Sequence, residues 1–122
     1  MMDAPPKNAL RDKSYAFALR TINLYKHLAD NKREYVLSKQ LLRSGTSVGA
    51  NVAEANQAQS RADFVSKLSI ALKEAVETEY WLSLLRDSGY LTQKQAESIL
   101  GDCSELIRIL VAIVKTTKKS KS

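Results

Sequence analysis

A single cysteine, Cys103, and a single histidine, His27, remove several chemistries at once. One thiol can neither close an intramolecular disulfide nor build a thiolate metal cluster. One imidazole leaves no histidine-pair metal site and no Cys–His dyad. Proline is confined to Pro5 and Pro6, and only four glycines occur, so nothing interrupts helical runs beyond the first few residues. Aromatic residues make up 7% of the chain, and no aromatic-rich strand offers a platform for stacking bases. The longest strongly apolar stretch, Ile107 to Val114, carries Arg108 within it and falls far short of the ~20 residues a membrane span requires. No charged-then-apolar signal opens the chain. These absences predict a cytoplasmic, all-α protein without membrane contact, cofactor or metal.

The 122 residues fit one domain. Apolar residues make up 44% and charged residues 26%, an ordinary globular balance enriched in helix formers. The net charge of +6 is unevenly spread. Residues 1–43 hold nine Lys/Arg against four Asp/Glu, residues 44–114 hold six against nine, and residues 115–122 hold four lysines and no acid. A field of that kind attracts polyanions, whether nucleic acid or an acidic protein face.

Residues 1–11 show no repeating apolar face and read as a flexible arm. A first helix is predicted from Asp12 or Ser14 to Ala29, with Tyr15, Leu19, Ile22, Tyr25 and Leu28 at spacings of three and four. Asp30-Asn31-Lys32 forms the turn. A second helix runs from about Arg33 to Ala55, with Leu37, Leu41, Gly45, Val48, Val52 and Ala55 on one stripe. Gly45 and Gly49 each cost roughly 1 kcal/mol against alanine inside a helix. The apolar periodicity nevertheless continues through them, which favours one helix over the alternative of two joined by a loop.

Ser60-Arg61-Ala62-Asp63 has the form of a capping box ahead of a third helix with Phe64, Leu68, Ala71, Ala75, Leu82 and Leu85. Ser88-Gly89 ends it, with Gly89 suited to the left-handed position after the helix. Thr92-Gln93-Lys94-Gln95 is a second capping box, with Leu91 placed to staple onto Ala96. The fourth helix is predicted to face the core with Ala96, Leu100, Cys103, Ile107, Leu110, Val114 and Thr117. Ile99, Leu106, Ile109, Val111 and Ile113 fall outside that seam. With Tyr80 and Trp81 on helix three, this surplus points to self-association. The helices span residues 12–117, followed by a basic tail, 118–122.

Catalytic constellations are poorly supported. Glu74, Glu77 and Glu79 cluster, but the Glu-x-x-His spacing of di-metal bundles is missing, so a solvated or paired acidic face is the simpler reading. Arg20 and His27 share a helix face at a loose ribonuclease-like spacing that arises often by chance. Arg43, Ser44, Ser47, Asn51 and Glu54 form a polar stripe beside the small residues of helix two, suited to a hydrogen-bond network between helices or subunits, or alternatively to direct ligand contact. Lys26, Lys32, Arg33, Lys39 and Arg43 gather around the first turn, and Lys115, Lys118 and Lys119 precede the chain end. Both sets suit phosphate-led binding with little sequence specificity, and solubilising surface is the plain alternative for the second.

The run from Leu41 to Ala55 (LLRSGTSVGANVAEA), Phe64, the run from Lys67 to Ala75 (KLSIALKEA), Glu77 to Leu82 (ETEYWL) and Gly89-Tyr90-Leu91 together resemble the bacterial four-helix-bundle family encoded in intervening sequences of 23S ribosomal RNA genes. The resemblance covers about residues 13 to 116. It implies a single antiparallel up-down four-helix bundle, commonly assembled into a homopentamer around a central channel, with no catalytic activity. It makes Arg43, Ser47, Asn51 and Glu54 signature residues of helix two. Related to that family is the accessory variability determinant of diversity-generating retroelements, a basic bundle that binds a reverse transcriptase and nucleic acid, so these enter as possible partners. The expectation is a non-enzymatic, homo-oligomeric accessory protein binding RNA or DNA through basic surfaces. The alternative is a protein-interaction scaffold that meets an acidic partner such as a polymerase.

Overall fold

A computed structural model describes residues 6–119, with side chains from residue 9 onward. It contains α1 (Pro6–Lys32), α2 (Leu37–Ala55), α3 (Arg61–Asp87) and α4 (Gln93–Lys119), and no strand among the described residues. Each helix packs on the next, and α4 returns to α1 through a less extensive contact. Among the described residues no helix is long and apolar enough to cross a membrane.

The first helix begins at Pro6, inside the segment expected to be an arm. Proline is at home there, because its fixed φ suits the first helical turn and the N–H it lacks would go unused. The early start also places Leu10 in the core, only 1% exposed. Residues 1–5 of the expected arm lie outside the described residues. At the far end Lys118 and Lys119 continue α4 rather than opening a tail, and residues 120–122 lie outside the described residues.

The face that α1 buries is not the stripe its large apolar residues suggest. Leu10, Ser14, Phe17, Thr21 and Leu28 point inward, with Leu24 partly buried among them. Tyr15 stays 67% and Leu19 48% exposed. Two small polar residues in the seam explain the disguise. Ser14 Oγ donates to the Arg11 carbonyl at 3.1 Å and Thr21 Oγ1 to the Ala18 carbonyl at 2.8 Å, so neither hydroxyl is buried unpaired.

Small residues on α2 meet those positions. A Cβ at Gly45 would lie 2.5 Å from Thr21 Cγ2, and one at Gly49 would lie 3.2 Å from the Ser14 carbonyl oxygen. The two glycines therefore bring α1 and α2 together, and α2 runs unbroken through both.

Helix α2 starts later than its periodicity predicts, at Leu37 instead of Arg33. Arg33 adopts a left-handed φ of 56°. The buried Glu34 then caps the helix: its carboxylate accepts from the N–H groups of Val36 (3.1 Å), Leu37 (2.9 Å) and Ser38 (2.7 Å). Burial alone would raise the pKa of this carboxyl. The backbone hydrogen bonds outweigh burial and hold it below the usual glutamate range.

Helix α1 runs on to Lys32, through the Asp30-Asn31-Lys32 expected to be its turn, whereas both ends of α3 and the start of α4 match their sequence signals. Ser60 Oγ accepts from Asp63 N at 3.0 Å. At the end of α3, Gly89 takes φ = 88°, with Gly89 N bonded to Arg86 O and Tyr90 N to Leu85 O, which is a Schellman closure. Thr92 and Gln95 then exchange both capping-box bonds, at 2.9 and 3.1 Å.

Helix α4 buries Ala96, Ile99, Cys103, Leu106, Leu110 and Val114. Ile99 and Leu106, expected outside the seam, belong to it. Leu100 and Ile107, expected within it, are only partly buried. Apolar residues occupy adjacent positions at both places, so periodicity alone allowed either member of each pair. Cys103 is a core thiol 3.3 Å from the Ala75 carbonyl. Burial, with Glu79 and Asp102 nearby, pushes its pKa up to about 12.

Candidate functional site

The polar stripe of α2 divides among three tasks. Ser44 turns inward and shares a buried 2.8 Å hydrogen bond with Thr78 of α3. Ser47 donates to the Arg43 carbonyl at 2.6 Å and Asn51 to the Ser47 carbonyl at 2.8 Å, so both are tied to their own helix. Glu54 pairs with Lys67 at 3.2 Å. Arg43 reaches across to α3, where Nη1 lies 3.2 Å from Glu74 and Nη2 bonds Glu77.

Trp81 Nε1 also donates to Glu77, at 3.0 Å. This bond, with the Arg43 guanidinium, holds the Glu77 carboxyl below the ordinary range against the opposing effect of burial. The Arg43 charge is thus already met by two carboxylates. Its place in the expected basic patch becomes that of a cross-link between α2 and α3.

The other members of that patch stand differently. Lys26 and Lys32 on α1, Arg33 in the connection and Lys39 on α2 are exposed and make no ion pair among the described residues. Lys115, Lys118 and Lys119 are likewise exposed and without such a pair at the end of α4. Four cations along the length of the bundle are matched instead: Lys13 with Glu105 (3.2 Å), Arg20 with Asp102 (2.7 Å), Arg43 with its two glutamates and Lys67 with Glu54. A hollow that Arg61 at the start of α3 shares with Lys118 places α3's beginning beside α4's end. Unmatched positive charge is therefore densest toward the helix ends, although Lys73 on α3 and Arg108 on α4 are also exposed and without an ion pair among the described residues.

Tyr80 and Trp81 part company despite being neighbours in sequence. Trp81 is half-buried against the core, whereas Tyr80 stays exposed, edge-on to the indole at 5.2 Å between ring centres. Tyr80 instead borders a hollow with Val76, Leu100 and Ser104, between α3 and α4. Among the described residues the large exposed apolar side chains form two groups. Tyr15, Leu19, Tyr35 and Val36 lie on α1 and the α1–α2 connection, and Val76, Tyr80 and Val111 lie on α3 and α4. The first group was missed as a surface because periodicity assigned Tyr15 and Leu19 to the core.

Arg20 and His27, weighed as a ribonuclease pair, each bond a neighbouring side chain. Arg20 bonds Asp102 and Ser98 Oγ (3.0 Å) on α4, and His27 Nδ1 lies 2.9 Å from Asn31 Nδ2. Among the described residues no group of three His, Cys, Asp or Glu is placed to hold a metal ion.

These features define an all-α, four-helix protein whose distinctive residues are spent on helix contacts, with charge and apolar surface left over at the ends and sides. Residues 7–112 match the 23S rRNA-intervening sequence protein family, and the chain belongs to it. A solved structure of a protein of unknown function from the S23 ribosomal protein family, from Bacteroides thetaiotaomicron VPI-5482, is 57% identical. That alignment covers 91% of this chain and 99% of the other, with a TM-score of 0.89. No curated protein matches the chain.

Proposed function

We propose that the chain is a non-enzymatic, homo-oligomeric accessory protein of the cytoplasm that engages RNA or DNA through the basic ends of its bundle. The observation that carries this reading is the segregation of charge. Lys13, Arg20, Arg43 and Lys67 along the bundle are matched by carboxylates, whereas Lys26, Lys32, Arg33 and Lys39 at one connection and Lys115, Lys118 and Lys119 at the end of α4 are left to solvent, with Lys73 and Arg108 the exposed mid-helix exceptions. Unmatched lysines and arginines on a rigid frame suit phosphate contact, and the lack of a stacking platform suits binding with little sequence preference.

Binding measured across a salt series tests this. With about four phosphates contacted, the logarithm of affinity for single-stranded RNA should fall with the logarithm of salt at a slope of about −3. The triple substitution Lys32→Gln, Arg33→Gln, Lys39→Gln should flatten the slope by about 2, and Arg43→Gln should leave it unchanged. Affinity indifferent to salt, or to the triple substitution, sinks the reading. Capture of an acidic protein that resists nuclease, without RNA or DNA binding, favours the scaffold alternative.

The assembly we propose is a ring, five-fold as the family likeness implies, of antiparallel up-down bundles. The up-down course is supported by pairings that run in opposite directions along the helices, Ser14 by Gly49 and Thr21 by Gly45, then Lys13 with Glu105 and Arg20 with Asp102. Ring closure is supported by the two separate apolar groups. In a bundle whose neighbours run α1, α2, α3, α4, the α1–α2 side lies opposite the α3–α4 side, and unlike faces on opposite sides join head to tail.

A further inference from the structure

The α1–α4 seam is the loosest of the four. Lys13–Glu105 and Arg20–Asp102 cross it, as ion pairs also cross α2–α3, but α1 and α4 contact each other less than any other neighbouring pair. Where the second half of α1 passes the start of α4, a groove of about 570 Å³ opens. That volume lies within the range of about 300–1,000 Å³ common for small-molecule sites.

The groove has an apolar floor and a cationic rim. Leu91 and Ile99 are core residues and Leu24 is partly buried, so its base is hydrocarbon. Arg20 and Lys94 line it, and no carboxylate does. Arg20 is held in place by Asp102 at 2.7 Å and Ser98 Oγ at 3.0 Å, which fixes its planar guanidinium at the groove wall. Lys94 is exposed and makes no ion pair among the described residues.

His27 adds an unmade bond to the same wall. Its Nδ1 accepts from Asn31 Nδ2, which leaves the ring proton on Nε2, and Nε2 is closed off from solvent with no hydrogen-bond partner among the described residues. An unsatisfied buried donor of this kind is costly.

We propose that the α1–α4 groove binds a small organic anion, with a planar or apolar body seated on Leu24 and Ile99 and a carboxylate or phosphate head between Arg20 and Lys94. A metal ion finds no acidic ligand here, and a bare phosphate backbone has no apolar group to use the floor. The site is separate from the basic connection around Arg33. It also opens on a side of the bundle that neither apolar group occupies.

Titration of the isotope-labelled full chain by amide NMR tests the site, with benzoate and phenyl phosphate as probes and benzyl alcohol and inorganic phosphate as controls. Saturable shifts confined to residues 20–27 and 91–99 are expected with at least one aromatic anion, and the tighter of the two identifies the head group. Both controls should bind at least about threefold more weakly. Lys94→Glu should weaken the better probe by at least about threefold while circular dichroism stays unchanged, with Lys94→Gln taking its place if the reversal disturbs the fold. The variant altered at Lys32, Arg33 and Lys39 should keep the groove's affinity, so this site and the polyanion reading fail separately. Absence of saturable shifts with either anion overturns the proposal. So do shifts elsewhere on the chain, controls binding as tightly as the anions, or indifference to Lys94.

Discussion

At Arg33 the backbone sits at φ = 56°, in the region that costs a side-chain-bearing residue about 1–2 kcal/mol. Glycine would adopt it freely, at an unfolded-state entropy cost of about 0.5–1 kcal/mol. Arg33→Gly should therefore raise stability by up to about 1 kcal/mol in urea denaturation, while weakening RNA binding if its exposed guanidinium touches phosphate. A drop in both quantities would place Arg33 in the fold rather than in the interface. Two other glycines make a matched pair. Gly101 lies exposed in α4 with nothing near its missing Cβ, so Gly101→Ala should stabilise by about 0.5–1 kcal/mol. Gly45→Ala gains the same helix propensity but drives a methyl group against Thr21, which is buried and tied to Ala18. Overpacking costs about 1–3 kcal/mol, so a net loss of about 1–2 kcal/mol is expected. Equal effects at the two positions would mean that α1 and α2 do not approach as closely as Thr21 and Gly45 require.

At the scale of the element, α2 depends on Glu34 for its start. Because the folded pKa of this carboxyl is depressed, its contribution is present above the unfolded value of about 4.3 and is lost as pH falls through the lower folded value. Glu34→Gln should cost about 1–2 kcal/mol at neutral pH, and the gap between parent and variant should begin to narrow below about pH 4.3 and close only below the depressed folded value. Denaturation curves followed from neutral pH down to about pH 2 check this, and a gap that does not narrow over that range would remove the charge from the explanation. Sequence disclosed this cap poorly, because Glu34 acts on the three N–H groups that follow it instead of as the serine or threonine that usually marks a helix start. The α3–α4 connection was fully legible, since Gly89, Thr92 and Gln95 act through local bonds that depend only on neighbouring residues. Core faces were legible where one stripe was apolar, as on α2 and α3. They were misread where a seam holds Ser14 and Thr21, or where adjacent pairs such as Ile99-Leu100 compete. Which side a helix buries is a property of its neighbours. The same reason hid the fate of Arg43, whose two glutamates stand more than thirty residues away along the chain.

For the whole molecule, the two apolar groups make a sharper demand than oligomerisation alone. In a head-to-tail ring each subunit uses the α1–α2 side once and the α3–α4 side once, so spoiling either side opens every interface. Leu19→Arg and Tyr80→Arg, both at exposed positions, should each give a folded monomer of about 13.6 kDa by light scattering. The two variants spoil opposite sides. Mixed in equal amounts, the Leu19→Arg chain still offers an intact α3–α4 side and the Tyr80→Arg chain an intact α1–α2 side, so one sound interface can form between them. No second interface can follow, because the two outward faces of that pair both carry arginine. The mixture should therefore stop at a heterodimer and never rebuild the ring. A self-complementary dimer behaves otherwise: if each side paired with its own copy, each variant would keep one working interface and remain dimeric by itself. Monomers alone that pair when mixed would support the head-to-tail arrangement, and variants that stay dimeric before mixing would rule it out.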